Sequence, residues 1–214
     1  MKSVSTLQAE GKTVIAVASI DSSDHLLLGY LAIADRLRDN SAIAISRLQS
    51  MGIEVVMLTG DNQATAATIA RKTGIVDFRA EVLPQDKAAE VIAFKKKGKF
   101  TAMVGDGIND APALAAADVS FAIGAGSDIA IEAADMTLLR NDLMSVADAI
   151  SLSRLTLRKI RQNLFFAFVY NALGIPLAAA GMLNPVIAGA AMAMSSVSVV
   201  SNSLLLKRWQ ANQS

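Results

Sequence analysis

Two aspartates four residues apart, Asp106 and Asp110, lie in the segment VGDGINDAP, directly after the apolar run FTAMV. Carboxylate oxygens are hard ligands of the kind that Mg²⁺ prefers. Gly105 and Gly107 flank the first aspartate and allow the backbone to approach a ligand closely, and Asn109 can donate hydrogen bonds to a phosphate. The segment therefore predicts a loop at the end of a strand that holds Mg²⁺ and a phosphoryl group.

Two other short segments carry residue types that suit a phosphate. In TGDN, the Thr59 hydroxyl and the backbone amide of Gly60 can donate to phosphoryl oxygens, and in LPQDK, Lys87 can neutralise their charge. Phosphoryl transfer needs little beyond such positioning and electrostatic stabilisation. Each segment alone is more typical of a turn or of a solvated helix start, so the prediction depends on all three segments lying at one edge of the fold.

Alternating strands and helices supply that common edge. The runs IEVVML, KFTAMV and DVSFAI and residues 78–82 predict strands, and helices are predicted before Gly52, before Gly74 and between Pro84 and Gly98. Residues 12–34 predict two further strands joined by a polar turn. This order predicts a parallel α/β sheet, whose ligands bind at the carboxyl ends of its strands. TGDN and GDGIND both follow such ends.

A long run without charge follows. From Gln162 to Leu206 the chain has 45 consecutive residues without Asp, Glu, Lys, Arg or His. About 20 helical residues cross a bilayer core, so the run predicts two membrane helices and a tight turn. Residues 142–161 predict an amphipathic, increasingly basic helix that forms a rigid stalk before the first span. Basic residues flank the run on both sides, namely Arg154, Arg158, Lys159, Arg161, Lys207 and Arg208.

The distribution of charge predicts the orientation and excludes several classes of protein. Because positive residues stay in the cytoplasm, we expect both termini and residues 1–150 on the cytoplasmic side. The net charge of +1, with no basic patch among aromatic residues, argues against nucleic acid as a partner. The chain has no cysteine, which excludes disulfides and thiolate metal sites. Its first residues have no apolar signal region, so no cleaved targeting segment is expected.

Taken together, these segments resemble one family. MLTGDN, LPQDK and MVGDGINDAPALAAADV resemble the phosphorylation domain of P-type ATPases, which has the haloacid dehalogenase-like fold. AIGAGSDIAIEAADMTLL continues the resemblance into the heavy-metal branch, and FVYNALGIP and AMAMSSVSVVSNSLLLKR resemble the last two helices of the monovalent-copper exporters. The resemblance covers nearly all of residues 30–208 and implies the C-terminal part of an ATP-driven copper(I) exporter in a plasma membrane, such as the bacterial inner membrane.

The resemblance also implies a division into domains. Residues 1–30 would be the tail of a nucleotide-binding domain, and residues 31–141 the C-terminal portion of the phosphorylation domain. Residues 142–161 would form the stalk, and residues 162–208 the two transmembrane helices. The fold class expected is therefore an incomplete haloacid dehalogenase-like α/β domain, followed by a membrane hairpin in contact with lipid.

Roles for individual residues follow from the same resemblance. Asp106 and Asp110 would serve the Mg²⁺ site. Lys87 and Thr59 would bind the phosphoryl group that comes from ATP. Asp61 and Asn109 would support that group, together with the Gly60 amide.

Copper(I) contacts are implied at four positions in the spans, Tyr170, Asn171, Met192 and Ser196. The chemistry agrees in part, because a methionine thioether is a soft ligand suited to Cu(I). Met192 and Ser196 are four residues apart and so share a helix face. Silver(I) is equally soft and uses the same ligands, so the sequence does not choose between the two ions. Pro176 predicts a kink in the first span.

The chain departs from the family in several places. The family's phosphorylated aspartate belongs to an Asp-Lys-Thr-Gly-Thr motif, and neither this motif nor the family's Cys-Pro-Cys occurs here. The resemblance therefore implies that the chain is inactive alone and that its sheet has an unpaired edge or a gap. Ser120 and Phe121 stand where the family favours Gly and an aliphatic residue, which predicts crowding beside the Mg²⁺ site. Leu205 replaces a common arginine and removes one cytoplasmic anchor.

Two alternatives stay open at this point. In VIAVASIDSSD, Asp21 follows a strand and is a candidate nucleophile for a membrane-anchored phosphatase of the same fold. The segment lacks the expected Thr and Lys, and a polar hairpin turn explains it better. The other alternative is a non-catalytic partner that assembles with an upstream fragment carrying the nucleophile.

Overall fold

The computed structural model describes residues 4–9, 12–20, 25–33, 37–38, 40–106, 108–124, 132–181 and 184–210 of the 214-residue chain. The chain divides into two compact units, Met1–Ala147 and Asp148–Ser214.

The first unit begins with a helix and a two-stranded antiparallel ribbon. Helix α1 (Val4–Ala9) is followed by strands β1 (Thr13–Ile20) and β2 (His25–Ile33). Their register runs from Thr13 opposite Ile33 to Ile20 opposite His25. The two strands predicted in residues 12–34 are thus confirmed, whereas α1 was not predicted. The turn that contains Asp21 lies outside the described residues.

Strands and helices then alternate, as the sequence predicts. The elements are α2 (Ser41–Ser50), β3 (Val56–Leu58), α3 (Gln63–Thr73), β4 (Asp77–Arg79), α4 (Pro84–Lys96), β5 (Ala102–Gly105), a 3₁₀ turn (Ile108–Asp110), α5 (Ala111–Ala116), β6 (Val119–Ile123) and β7 (Met136–Leu138).

All strand pairs in this alternating part are parallel, which confirms the α/β class. β3 pairs with β4, and β6 pairs with both β5 and β7. The pairs form two separate sheets, and within the described residues β3 and β5 each lie at the edge of their sheet. Every open sheet has such edges, so the edge or gap expected from the missing motif stays a prediction.

Local signals in the sequence fix the helix ends that position the loops. The Asn62 side chain accepts a hydrogen bond from the Thr65 amide at 3.0 Å and caps the first turn of α3. Gly74 ends α3 with a φ of 77°, a conformation that glycine adopts without strain. Pro84 begins α4, where its missing N–H costs nothing.

Small and apolar side chains of β6 and of the helices form the core of this unit. Its fully buried members include Phe121 on β6 and Leu114 on α5. The remaining buried apolar residues lie mainly on the helices, namely Ala44, Ile45, Leu48, Ala66, Ala70, Val91, Ala113, Ala122, Val146 and Ala147.

A strong cap precedes the long helix α6 (Leu143–Ala179). The Asp142 carboxylate accepts hydrogen bonds from the Ser145 amide at 2.8 Å and the Ser145 hydroxyl at 2.9 Å. Burial acts to raise the pKa of Asp142, but these hydrogen bonds and the charges of Arg140 and Arg38 outweigh it, so the pKa lies below its ordinary value. The carboxylate is therefore charged at neutral pH, as the start of a helix favours.

The second unit contains the rest of α6, helix α7 (Pro185–Leu204) and a 3₁₀ turn (Leu205–Arg208). Both helices are long and apolar enough to cross a membrane, and their apolar stretches are not buried within the protein. The bounds of α6 include the predicted stalk and the predicted first span, and the helix continues through Pro176. The kink at Pro176 stays a prediction.

Candidate functional site

Backbone hydrogen bonds to the last residue of β4 and to the residues just after it fix the loop that follows β3. The Thr59 amide donates to the Arg79 carbonyl, and its own carbonyl accepts from Val82, both at 3.0 Å. One step further, the Glu81 amide donates to the Asp61 carbonyl at 2.8 Å. Main-chain contacts therefore fix the shape of the loop.

Two predicted site residues, Thr59 and Asp61, contact each other in this loop. The Thr59 hydroxyl donates to Asp61 Oδ2 at 2.9 Å and accepts from the Asp61 amide at 3.1 Å. This double contact fixes the orientation of the hydroxyl. Gly60 lies between them, and its amide is a candidate for binding an anion.

The contact with the greatest chemical significance joins Lys87 and Asp110, which are 23 residues apart in sequence. Lys87 Nζ lies 2.7 Å from Asp110 Oδ1, and the side chains are only 19% and 12% exposed. Lys87 comes from the first turn of α4, and Asp110 from the 3₁₀ turn after β5. The fold thus brings two of the three predicted phosphate-binding segments together at the carboxyl end of β5.

Gly105, the last residue of β5, forms a cradle for this aspartate. A methyl group added at Gly105 would lie 2.7 Å from Asp110 Cβ and 2.9 Å from Asp110 Oδ2. Such distances are too short for any real contact, so the Asp110 carboxylate occupies the space that a side chain would fill. The glycine that the sequence suggested for close approach is required here for packing against Asp110.

Asp106 and Asn109, also predicted for this site, are exposed, whereas Asp110 is buried. Gly107 lies outside the described residues. Within the described parts of the chain, no group of three or more His, Cys, Asp or Glu residues is placed to hold a metal. Mg²⁺ needs only one or two carboxylates when water and phosphate supply its other ligands. The donor set of Asp106 and Asp110 fits Mg²⁺ in that mode.

Ser120 stands where the family favours glycine, and the structure shows what its hydroxyl contacts. The Ser120 amide and hydroxyl both donate to Asp135 Oδ2 at 2.9 Å, and the Asp135 amide donates back to the hydroxyl at 3.0 Å. Ser120 is buried, so this reciprocal contact satisfies its hydroxyl and ties β6 to the segment before β7. Sequence reasoning missed this pair, because Asp135 gives no local sign of its partner.

The residues predicted to contact copper differ in exposure within the second unit. Tyr170 is half-buried, whereas Asn171, Met192 and Ser196 are exposed, Met192 at 73%. Asn171 donates to the Ala167 carbonyl at 2.7 Å, and Ser196 to the Met192 carbonyl at 3.3 Å. These two polar groups are thus partly satisfied by their own helices, and the two helices alone do not enclose the Met192 thioether.

Sequence reasoning also missed a polar cluster that joins α6 to α7. It consists of Lys159, Gln162 and Asn163 on α6 and Asn202 and Ser203 on α7. The available signal was the position of amide side chains at both ends of an otherwise apolar run.

Two family models match the chain. Residues 1–118 match one described as haloacid dehalogenase-like hydrolase, and residues 88–150 match a second with the same description.

Individual relatives extend the match into the second unit. The chain is 58% identical over 202 residues to a copper-exporting P-type ATPase of Bacillus subtilis (strain 168), and 53% identical over 201 residues to one of Staphylococcus aureus (strain Newman). Each match covers 94% of this chain, which spans about a quarter of the length of these relatives (25%). A crystal structure of a zinc-transporting PIB-type ATPase in the E2.Pi state is similar with a TM-score of 0.79 and 38% identity, covering 95% of this chain and 33% of that chain.

Proposed function

The chain belongs to the haloacid dehalogenase-like hydrolase family and is similar to a part of heavy-metal P-type ATPases. From this premise we propose that it is the C-terminal part of such an ATPase and has a share in an ATP-driven copper(I) exporter. That share is the Mg²⁺- and phosphoryl-binding part of the phosphorylation site and two membrane helices that contact the transported ion. The chief support is the Lys87–Asp110 pair at the carboxyl end of β5.

Charge placement supports a role for this pair in phosphoryl transfer. Asp106 and Asp110 would hold Mg²⁺, which when bound neutralises charge on the phosphoryl oxygens. Lys87 has three N–H donors and gives one to Asp110, so the others stay available for a phosphoryl oxygen beside the metal. The pair is mostly shielded from water, which strengthens its electrostatic effect on a bound phosphate.

The loop after β3 would bind the remaining phosphoryl oxygens. The Gly60 amide would donate to one of them. The Thr59 hydroxyl donates its only proton to Asp61 Oδ2, so it would have to turn from Asp61 to donate to a phosphoryl oxygen. Asn109, exposed in the 3₁₀ turn, would add a side-chain donor. In this proposal these groups bind and orient the phosphoryl group, and the atom that accepts it comes from elsewhere.

The phosphorylated aspartate would come from another part of the exporter. The chain has no Asp-Lys-Thr-Gly-Thr motif, and in the described residues β3 and β5 each lie at a sheet edge. A parallel strand ending in that aspartate would pair with these edges and end beside Asp110. Asp21 lies outside the described residues, and no observation favours a phosphatase that uses it.

Copper(I) is the cargo that the two helices support best. Zinc sites use Cys, His, Asp or Glu, and none of these occurs between Gln162 and Leu206. The exposed Met192 thioether is a soft ligand suited to Cu(I) or Ag(I). With the basic residues at both ends of the hairpin, we propose that the termini and residues 1–150 face the cytoplasm of a bacterial inner membrane.

We expect the purified chain to release no phosphate from ATP in the presence of Mg²⁺, because it lacks the residue that accepts the phosphoryl group. Co-expression with the part of the Bacillus subtilis copper exporter that this chain does not match should restore Cu(I)-dependent phosphate release. Both are measured as inorganic phosphate after purification in detergent. Mg²⁺-dependent release by the chain alone that disappears in Asp106→Ala would contradict the proposal.

Met192→Leu should weaken the retention of Cu(I) by the reconstituted complex, since it removes a thioether ligand. The expected loss is at least about tenfold, the size found when a metal site loses even a supporting residue. Competition with a chromophoric Cu(I) chelator in the absence of oxygen gives the affinity. Met194→Leu is the matched control, because Met194 is also exposed but points to the other side of the helix. Equal losses in the two variants would remove Met192 from the pathway.

A further inference from the structure

The polar cluster between α6 and α7 is a connected set of hydrogen bonds, here named the polar clasp. It comprises Lys159, Gln162, Asn163, Asn202 and Ser203. Four side-chain hydrogen bonds cross between the helices: Lys159 Nζ to Asn202 Oδ1 at 2.7 Å, Asn202 Nδ2 to Asn163 Oδ1 at 2.8 Å, Asn202 Nδ2 to Gln162 Oε1 at 3.4 Å, and Asn163 Nδ2 to Ser203 Oγ at 2.8 Å.

The lysine sets the direction of every hydrogen bond in the clasp. An ammonium group only donates, so the oxygen of the Asn202 amide must face Lys159 and its nitrogen must face Asn163. The Asn163 oxygen then accepts, and its nitrogen donates to Ser203. The Ser203 hydroxyl in turn donates to the Val199 carbonyl at 2.8 Å. A single arrangement therefore satisfies the chain of donors and acceptors.

Such a directional contact determines how two apolar helices align. The surfaces of α6 and α7 beyond the clasp are rich in Ala, Val, Leu and Phe, and in lipid these side chains have little preference for one axial position over another. A polar residue within a helix interface selects one register, because every other register leaves its hydrogen bonds unmade. Lys159, Asn163 and Asn202 are half-buried, which matches a position between the helices.

The register set by the clasp aligns the residues proposed to contact copper. Seven residues make nearly two helical turns and rise about 10 Å, so they return to almost the same face. Tyr170 lies seven residues after Asn163, and Ser196 lies seven residues before Ser203. Only five residues, 180–184, separate the helices, and the clasp joins their far ends, so the helices run in opposite directions. The Asn163–Ser203 bond therefore predicts Tyr170 and Ser196 at one common depth. Met192 lies one turn deeper on the same face as Ser196.

We propose that the polar clasp is a positioning device, in which Asn163 and Asn202, oriented by Lys159, hold α6 and α7 in the register that places Tyr170 opposite Ser196 and Met192. The clasp residues contact no copper and act through the alignment of the helices. The role in metal binding rests on the proposed function, whereas the register itself can be measured without metal.

Disulfide cross-linking measures the register directly, because the chain has no cysteine of its own. The in-register pair Ala167→Cys with Val199→Cys lies one turn beyond Asn163 and Ser203. The shifted pair Ala167→Cys with Ser195→Cys differs from it by one turn of α7. All three positions are half-buried. With diamide as the oxidant and the full chain in lipid nanodiscs, we expect the in-register pair to cross-link about tenfold faster than the shifted pair.

Loss of the clasp should remove this preference. In Asn163→Leu and Asn202→Leu the ratio of the two rates should fall to about one, since both registers become equally accessible. Ser201→Leu is the matched control, because Ser201 is an exposed neighbour of Asn202, and it should keep the ratio. Lys159→Arg should also keep the ratio of the two cross-linking rates. Lys159→Met should lower this ratio, because methionine cannot orient the Asn202 amide. Far-UV circular dichroism checks that each variant keeps its helices.

An unchanged ratio in the two leucine variants, or no preference in the parent chain, would overturn the proposal. If an asparagine variant loses its helices, Lys159→Met decides, and an unchanged ratio in that variant would also overturn it. Cu(I) competition on the reconstituted complex separates this inference from the proposed function. If the leucine variants lose the cross-linking preference and their complexes also retain Cu(I) more weakly, both the clasp and the proposed function are supported. If the parent complex binds no Cu(I), the proposed function fails, and the cross-linking alone decides the register.

Discussion

In the complex of this chain with the unmatched part of the Bacillus subtilis exporter, Lys87→Met is expected to lower Cu(I)-dependent ATP turnover by about 100- to 1,000-fold. The reason is the position of the Lys87 ammonium, 2.7 Å from the Asp110 carboxylate. Methionine keeps the length of the side chain but has no charge and no donor. It therefore leaves the phosphoryl oxygens and the buried Asp110 carboxylate without their cation.

Lys95→Met is the matched control for this experiment. Lys95 is on the same helix and also forms an ion pair, with Asp118 at 3.1 Å, and it donates to the Ala116 carbonyl. The pKa of Asp118 lies below its ordinary value, first because the Thr101 amide donates to it and then because Lys95 is near. Asp118 precedes β6 rather than following a strand, so the Lys95 pair lies away from the phosphate-binding edge.

We expect Lys95→Met to keep turnover within about twofold, since a partly exposed ion pair contributes little. Steady-state phosphate release, measured at saturating ATP and over a range of Mg²⁺ concentrations, distinguishes a lost catalytic contact from weaker metal binding. Similar turnover in the two lysine variants would mean that the Lys87 charge does not act on the phosphoryl group.

The alternating part of the fold could be predicted because its signals are local. Runs of apolar residues marked β3, β5 and β6, and Gly74, Pro84 and Gly98 marked the ends of the helices between them. The strands are shorter than the apolar runs, as with Val56–Leu58 within IEVVML. A strand's length depends on the neighbour with which it pairs, and β3 pairs with β4 over three residues only.

The contacts within the candidate site were less accessible to sequence reasoning. Motif spacing indicated that Lys87 and the aspartates belong to one site, but the partner of Lys87 was not specified. The choice of Asp110 depends on burial, because Asp106 is exposed and Asp110 packs against Gly105. Strand β7 and the polar clasp were missed for a related reason. Their stabilising partners lie 15 to 43 residues away in the chain, beyond the reach of a local pattern.

Gly105→Ala should destabilise the first unit by about 1–3 kcal/mol, the usual cost of forcing an extra methyl group into a packed site. The new Cβ would lie 2.7 Å from Asp110 Cβ, so the aspartate must move. That movement breaks the short contact to Lys87, whose geometry depends on Asp110 remaining against β5. Urea unfolding of the full chain in detergent, followed by far-UV circular dichroism, measures the change in stability.

Gly60→Ala is the control for backbone effects. Neither glycine has a positive φ, so alanine fits both backbones, and the two variants differ mainly in the space around the new methyl group. At Gly60 the nearest atom would be the Val82 carbonyl oxygen at 3.7 Å, an ordinary contact. We expect the free energy of unfolding of Gly60→Ala to change by no more than about 0.5 kcal/mol. This control concerns folding stability only.

Hydrogen–deuterium exchange of residues 102–116 locates the effect of Gly105→Ala. Faster exchange in this segment, with unchanged exchange in α3, is expected if the methyl group displaces Asp110 alone. Equal urea midpoints for the two glycine variants would show that Asp110 can move away from the new methyl group without cost. Close packing of the carboxylate on β5 would then not be what positions Asp110 beside Lys87. Because Asp110 is proposed to hold Mg²⁺, the same displacement should also weaken Mg²⁺-dependent turnover of the reconstituted complex, which links the packing of one glycine to the chemistry of the site.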